Sequence, residues 1–143
     1  MTIKPGFSRT KPYRFDAEAI TAFARMSGDD NFLHHDANVA RASRFGGLIA
    51  SGAHMSGVLM GFGASMLSSE FEAVGLEFWF RFVKAIPAGT RTTLQWTVTA
   101  VAPNAKLGGQ LVMLEGSIAG ADGTVHVTAT GKAVVWDKLV VSE

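Results

Sequence analysis

The sequence predicts an α+β fold in which helices come first and an antiparallel sheet follows. Apolar residues in the first half recur at helical spacing, whereas those after residue 73 alternate with polar residues as in a half-buried strand. Short turn signals, among them Asp122-Gly123, separate the alternating runs. Strands joined by short turns pair antiparallel, so we expect a meander with a helix packed on one face.

Length and composition restrict the class of protein. The 143 residues are expected to form one domain, 1–143, since a domain typically spans about 150 residues. The hydrophobic share of 48% and the charged share of 17% are the opposite of a disordered composition. Net charge is only +1, without a basic field, so we expect no nucleic-acid partner. Cysteine is absent, which excludes disulfides and thiolate sites.

Capping signals delimit the elements before residue 45. The predicted bounds are a short strand over 12–15, a helix over 17–26 and a helix over 37–42. Asp16 and Asp36 are suited to N-cap the two helices, and Gly28 is suited to end the first one in the left-handed conformation. Residues 1–11, with the turn signal Pro5-Gly6, are expected to be irregular.

A charge-free run follows, because no Asp, Glu, Lys or Arg occurs between Arg44 and Glu70. Its helical part begins at Gly52 and has about 16 residues, short of the roughly 20 needed to cross a bilayer. Large and small residues form two stripes at helical spacing: Met55, Leu59, Phe62 and Met66, and Ala53, Gly57, Gly61 and Ser65. We therefore predict a buried helix in a cytoplasmic protein that does not enter membranes, with the small stripe packed closely against a sheet or a partner.

Period-two patterning predicts four strands in the second half. Their bounds are 76–83, 93–99, 111–118 and 125–136, and the turn signals between them are Pro87-Ala88-Gly89, Pro103-Asn104, Gly108-Gly109 and Asp122-Gly123.

The polar loop 26–35 is the most informative stretch for chemistry. Asp29 and His34 are five residues apart and converge on one water if the loop turns back on itself. The carboxylate can then orient or deprotonate that water, and the imidazole can exchange the second proton. Asp, Asn and Gly are also turn formers, so the same residues are compatible with a plain capping loop.

The Gly-rich segment 44–52 has two readings as well. It either only turns the chain, or it presents backbone N–H groups at a helix N-terminus, where they favour a developing oxyanion. Metal chemistry is not expected, because His34-His35 lacks helical ligand spacing and no metal-binding motif occurs.

Three blocks in the same order resemble one family, the MaoC-like (R)-specific enoyl-CoA hydratases and acyl dehydratases. Residues 27–34 read SGDDNFLH and resemble the signature S-G-D-x-N-P-[LIV]-H, with Phe32 at the position of the proline. Residues 45–52 read FGGLIASG and resemble FGGxIAHG, with Ser51 at the position of the histidine. Residues 80–89 read FRFVKAIPAG and are similar to the strand and turn FRFLAPVRPGD.

The resemblance implies a hot-dog fold, an antiparallel sheet wrapped around a long central helix. It implies reversible addition of water to trans-2-enoyl thioesters, giving (R)-3-hydroxyacyl thioesters. In this family the pair that matches Asp29 and His34 activates water, and the residue that matches Asn31 organises the loop. The N–H of Gly52, beside Ser51 in the substrate-binding turn, would polarise the thioester carbonyl.

The resemblance also implies a small-molecule acyl thioester as partner and a homodimer or higher homo-oligomer. No cofactor is expected, since coenzyme A or an acyl carrier is part of the substrate. Two alternatives stay open: a hot-dog acyl-CoA thioesterase, and a non-catalytic acyl-thioester-binding subunit of a heteromeric dehydratase.

Overall fold

The structure, a computed structural model, describes residues 2–138. Its elements are β1 (Ser8–Phe15), α1 (Ala17–Ser27), α2 (Ala37–Ala42), α3 (Gly52–Ser68), β2 (Phe71–Phe82), β3 (Thr90–Asn104), β4 (Gly109–Gly120) and β5 (Val125–Asp137). A single 3₁₀ turn, Phe32–His34, lies between α1 and α2. The predicted α+β class is confirmed.

The sheet has five strands in the order β1-β3-β4-β5-β2, and all neighbours are antiparallel. The predicted meander therefore holds for β3, β4 and β5 only. β2 pairs with β5 at the far edge, because its connection to β3 crosses the end of the sheet. That connection is held by a bridge between Ile49 and Pro87, which brings it next to the start of α3.

Four of the five strands begin earlier than predicted, and β2, for example, begins at Phe71 rather than residue 76. β1 begins at Ser8 rather than residue 12, because the Ser8 hydroxyl donates to Trp96 O at 3.1 Å and Gly6 N–H donates to Val98 O at 2.8 Å. β3 runs through Pro103 and Asn104, and the turn comes after them. The hairpin at Asp122-Gly123 is confirmed, with Gly123 at φ 85°.

The core centres on the indole of Trp96, which is fully buried between α3 and β4. Its Nε1–H donates to the carbonyl of Leu59 in the middle of α3 at 2.7 Å. A Cβ on Gly63 would lie 2.9 Å from Nε1, and one on Gly116 would lie 2.6 Å from the ring. Both glycines therefore make room for the ring that joins helix to sheet.

One side of α3 is buried, which accounts for its stripe of large apolar residues. Met55, Leu59 and Met66 are buried in the core, as their spacing predicts. The small stripe does not face the sheet, because Gly61 and Ser65 are exposed. Among residues 2–138, no helix combines the length and the apolar character needed to cross a bilayer.

Candidate active site

The loop after α1 is folded back by a helix cap. Gly28 adopts the left-handed conformation at φ 74°, and Asp29 N–H donates to Ala24 O at 2.9 Å. Asn31 N–H donates to Asp29 Oδ1 at 3.0 Å, and Leu33 N–H donates to Asn31 Oδ1 at 3.1 Å. These bonds reverse the chain, so that the 3₁₀ turn runs back past Asp29.

As a result, the two predicted acid–base side chains lie side by side. Asp29 Oδ2 is 3.5 Å from His34 Nε2. The His34 side chain is only 7% exposed, whereas that of Asp29 is 36% exposed. The imidazole therefore belongs to the wall of the site and the carboxylate faces solvent. A separation of 3.5 Å is long for a direct hydrogen bond, but it lets both atoms accept from one water.

The orientation of His34 is set by a backbone carbonyl. Its Nδ1 lies 2.7 Å from Ile49 O, an acceptor, so Nδ1 carries the proton. In the neutral ring Nε2 then has a free lone pair, and it is this atom that faces Asp29. Thr21 adds support, since its hydroxyl donates to His34 O at 3.0 Å. The arrangement can take a proton from a water held at Asp29.

Ser51 and Gly52 form the start of α3. Ser51 is the N-cap, and its buried hydroxyl accepts from His54 N–H at 3.1 Å. Gly52 is the first residue of the helix, so its N–H has no intrahelical carbonyl to bond. Such an N–H at the positive end of a long helix can donate to an oxygen that gains negative charge.

One short backbone segment joins the two halves of the site. Ile49 N–H donates to Leu33 O at 3.0 Å, while Ile49 O accepts from His34. Ala50 N–H donates to Ile86 O at 2.9 Å, which ties the same segment to the crossing connection. Sequence reasoning missed Ile49, because a carbonyl that any residue would supply leaves no side-chain signal.

Phe32 stands where the resemblance has a proline, and the loop is closed by hydrogen bonds that the side chains of Asp29 and Asn31 accept. Asn31, just before Phe32, is extended at φ −60° and ψ 120°, as residues before proline tend to be. The side-chain cap that Asn31 gives the 3₁₀ turn supplies this conformation instead. The Phe32 ring is 46% exposed and does not displace Asp29 or His34.

His54 is fully buried beside the site, among the rings of Tyr13, Phe15 and Phe23. Its Nε2 lies 2.8 Å from the Tyr13 hydroxyl, while its Nδ1 has no partner among the described residues. The side chain is thus buried with the first turn of the packed helix α3, but only one of its two ring nitrogens has a hydrogen-bond partner among the described residues. Burial lowers the pKa of His54 to about 4.

Acid is therefore expected to destabilise the fold through His54. In the unfolded chain an imidazole titrates near its ordinary 6.5, whereas in the fold its pKa is about 4. The unfolded state binds more protons between these values, so stability is full above pH 6.5 and falls as the pH drops toward 4, by about 3 kcal/mol. Urea unfolding at pH 7 and pH 4.5 measures this loss.

The matched variant for this prediction is His54→Phe, which keeps an aromatic ring in the aromatic box and removes the titrating group. Its free energy of unfolding should change less between the two pH values than that of the wild type. Equal losses in both proteins would show that other groups cause the acid sensitivity.

Metal ligation has little support in the described part of the chain. Between residues 2 and 138, no group of three or more His, Asp or Glu side chains is placed to hold a metal ion.

A sheet packed around a central helix defines a hot-dog protein, and here a carboxylate–imidazole pair is bonded to the segment that leads into that helix. The comparison with family models assigns it further: the chain belongs to the MaoC-like domain family, whose model matches residues 2–121. This family places it among hydratases and dehydratases.

Solved structures agree on the hot-dog fold. An (R)-hydratase from A. caviae involved in PHA biosynthesis is 23% identical, with a TM-score of 0.82 over 92% of this chain and 96% of that one. A MaoC-like dehydratase from Rhodospirillum rubrum is 26% identical, with a TM-score of 0.80 over 96% of each chain. A chain of the ChsH1–ChsH2 complex from Mycobacterium tuberculosis is 20% identical, with a TM-score of 0.81 over 95% of this chain and 100% of that one. Among curated protein sequences there is no significant match.

Proposed function

We propose that this chain catalyses the reversible hydration of trans-2-enoyl thioesters to (R)-3-hydroxyacyl thioesters. The observation that carries the proposal is the 3.5 Å approach of Asp29 Oδ2 to His34 Nε2, while His34 Nδ1 is engaged by Ile49 O. Two proton acceptors on one small space suit a reaction that activates a single water. Membership of the MaoC-like family supports the same class of reaction.

In this reaction the two parts of one water go to neighbouring carbons. The water oxygen bonds to C3 of the enoyl group while one of its protons passes to the Asp29–His34 pair. That proton, or the one it exchanges for, is then delivered to C2, so the net change is addition of H and OH across the double bond. Because the same pair takes and returns the proton, addition to one face of the double bond is favoured.

The other half of the site stabilises the charge that this attack creates. Electrons move from the double bond to the thioester oxygen, which becomes enolate-like until C2 is protonated. We assign the N–H of Gly52 as the donor to that oxygen, with Ser51 holding the helix terminus in place. Asn31 holds the Asp29 carboxylate through its backbone N–H.

We further propose that the thioester carrier, coenzyme A or acyl carrier protein, is part of the substrate and that no other cofactor takes part. Each step above uses only water, the enoyl thioester, and side chains and backbone N–H groups of this chain. A preparation freed of metal by chelation should therefore keep its full activity.

The proposal is tested with crotonyl-CoA and two simultaneous readouts. Loss of enoyl absorbance without release of free thiol is the expected result. Release of thiol at the same rate as loss of thioester would instead identify a thioesterase that uses the same helix terminus. If the purified chain gives neither loss of enoyl absorbance nor release of thiol, the proposal is contradicted.

A heteromeric role is the second candidate, because one structural relative is a chain of the ChsH1–ChsH2 complex. In that case this chain would bind acyl thioesters without turnover and gain activity only with a different chain. The presence of both Asp29 and His34, held within 3.5 Å, favours catalysis by this chain itself. Activity of the purified chain alone decides between the two.

We also propose that the active form is a homodimer joined along β2. Among residues 2–138 this strand is at the edge of the sheet and pairs with β5 alone, and it exposes Val74, Leu76 and Trp79. An uncovered edge of this length with apolar side chains invites a second strand. The exposed small residues of α3 would also let a partner pack closely against the helix.

Leu76→Lys is therefore expected to convert the dimer to a monomer, because it places a charge on the proposed interface. Light scattering after size exclusion gives the mass directly. Leu107→Lys is the matched control, since Leu107 is similarly exposed, 41% against 46%, but lies in the β3–β4 turn. A Leu76→Lys variant that keeps the dimer mass, or a wild type that runs as a monomer, would disprove this interface.

A further inference from the structure

Phe82 is the last of three phenylalanines that alternate along β2. Phe78 and Phe80 are half-buried and pack against the core, whereas Phe82 is 50% exposed and does not join the core among the described residues. Its ring contributes little to the interior. Burial therefore does not account for a large aromatic side chain at this position.

What the Phe82 ring does contact is the first residue of α3. An ideal Cβ built on Gly52 would lie 3.3 Å from both Cε2 and Cζ of Phe82. The ring thus borders the space in front of the Gly52 Cα, where an added methyl group would already be crowded. This contact brings the end of β2 to the helix terminus that faces the Asp29–His34 loop.

The contact has a consequence for any thioester held by Gly52. A carbonyl oxygen that accepts from the Gly52 N–H lies about 2.9 Å from that nitrogen, and its α-carbon is only two bonds further on. The α-carbon is then within a few ångströms of the Gly52 backbone, in the space that the Phe82 ring borders. The side chain has no proton to exchange, so its effect on the reaction is steric.

We propose that the Phe82 ring forms the wall of the acyl site beside the α-carbon and restricts the enzyme to enoyl thioesters that carry only hydrogen there. The inference rests on the proposed function, since it takes Gly52 as the donor to the carbonyl. It assigns Phe82 as a specificity-determining residue and names the excluded class, α-methyl-branched enoyl thioesters.

The experiment compares crotonyl-CoA with tiglyl-CoA, which differs by one methyl group on the α-carbon. The wild type should hydrate crotonyl-CoA with the higher kcat/KM. Phe82→Ala should raise the ratio of kcat/KM for tiglyl-CoA to that for crotonyl-CoA by about 10-fold or more, the usual effect of one methyl group in a fitted pocket. Phe82→Leu should give an intermediate ratio.

Val83→Ala is the matched control, because Val83 is the next residue and is similarly exposed, 54% against 50%. Its backbone N–H, which donates to His126 O at 2.8 Å, is kept in the variant. This control should leave the ratio within twofold of the wild type. Mass and thermal midpoint of each variant show whether a changed ratio reflects the site or altered assembly.

Binding separates failure of this inference from failure of the proposed function. His34→Ala is meant to bind thioesters without turnover, so its binding of each thioester can be measured by calorimetric titration. We expect tiglyl-CoA to bind more weakly than crotonyl-CoA. Adding Phe82→Ala to His34→Ala should remove this difference. If crotonyl-CoA is hydrated but the Phe82 variants change neither the kcat/KM ratio nor the relative binding of the two thioesters, this inference alone is wrong. If neither thioester binds or reacts, the proposed function is wrong and this inference falls with it.

Discussion

Asp29→Asn is expected to lower kcat for hydration of crotonyl-CoA by about 10³-fold, in the middle of the range for loss of a positioned acid–base group. The amide keeps the shape of the side chain and can still accept from Asn31 N–H, so the loop should stay folded. It cannot hold the proton that the carboxylate takes from water. The rate of decrease in enoyl absorbance, followed continuously, measures the loss of kcat.

His34→Ala should cause a loss of similar size, and the double variant should be little worse than either single one. The reason is that both groups act on the same water, so removing one already disables the pair. Non-additivity of this kind is a stronger test than either rate alone. Two fully additive losses would indicate that the side chains act on different groups.

Asp30→Asn is the matched control for both variants. Asp30 is the neighbouring carboxylate and is exposed on the same loop. Its backbone carbonyl, not its carboxylate, accepts a hydrogen bond from His35. This variant should keep kcat within about twofold, since the carboxylate of Asp30 touches no part of the site. A wild-type rate in Asp29→Asn would disprove the assignment, and a large loss in Asp30→Asn would show that general loop charge is responsible.

Trp96→Ala is expected to destabilise the fold by about 3–5 kcal/mol, the usual range when a large buried ring is removed from a core. The substitution leaves a cavity between α3 and β4 and removes the indole N–H that bonds Leu59 O. Gly63 and Gly116, which make room for the ring, offer no side chain that fills the space. Urea denaturation at pH 7 measures the change.

Trp136→Ala is the control for that result. Trp136 also donates its indole N–H to a backbone carbonyl, that of Leu107 at 3.0 Å, but it is only half-buried at the end of the sheet. Its removal should destabilise the fold clearly less than removal of Trp96. Equal losses would show that the hydrogen bond, rather than the packing, is what Trp96 contributes.

Gly63→Ala approaches the same contact from the helix. The added methyl group would lie 2.9 Å from Trp96 Nε1, closer than such atoms pack, so either the ring or the helix has to shift. Overpacking of this kind destabilises by about 1–3 kcal/mol, even though alanine is the better helix former. An increase in stability would mean that the ring moves without penalty.

Local features of this fold were predictable from local residues. Asp16 caps α1 and Gly28 ends it as predicted, because a cap depends only on the neighbouring turn. The convergence of Asp29 and His34 also follows from a few residues, since Asn31 and the 3₁₀ turn reverse the chain between them. The proposed roles of these residues rest on the resemblance and stay predictions.

Features that depend on distant parts of the chain were not predictable. The place of β2 at the far edge follows from a crossing connection that no local signal marks. The approach of Phe82 to Gly52 joins residues 30 positions apart, and the bond from His34 goes to a carbonyl that carries no side-chain identity. The burial of Gly63 under Trp96 also depends on the sheet. The helical pattern alone indicated a different stripe of small residues, of which Gly61 and Ser65 are exposed.

The segment Ile49–Gly52 and the sheet position different parts of the candidate site. Ile49 O orients His34, and α3, which offers the Gly52 N–H, begins three residues later. The positions of His34 and of the Gly52 N–H are therefore both set by this one backbone segment. Phe82, by contrast, comes from the sheet and meets this segment only through its ring. Under the proposed function, substitutions at the end of β2 are therefore expected to change which acyl groups are accepted while the Asp29–His34 distance stays unchanged. Substrate choice would then be alterable without rebuilding the acid–base pair.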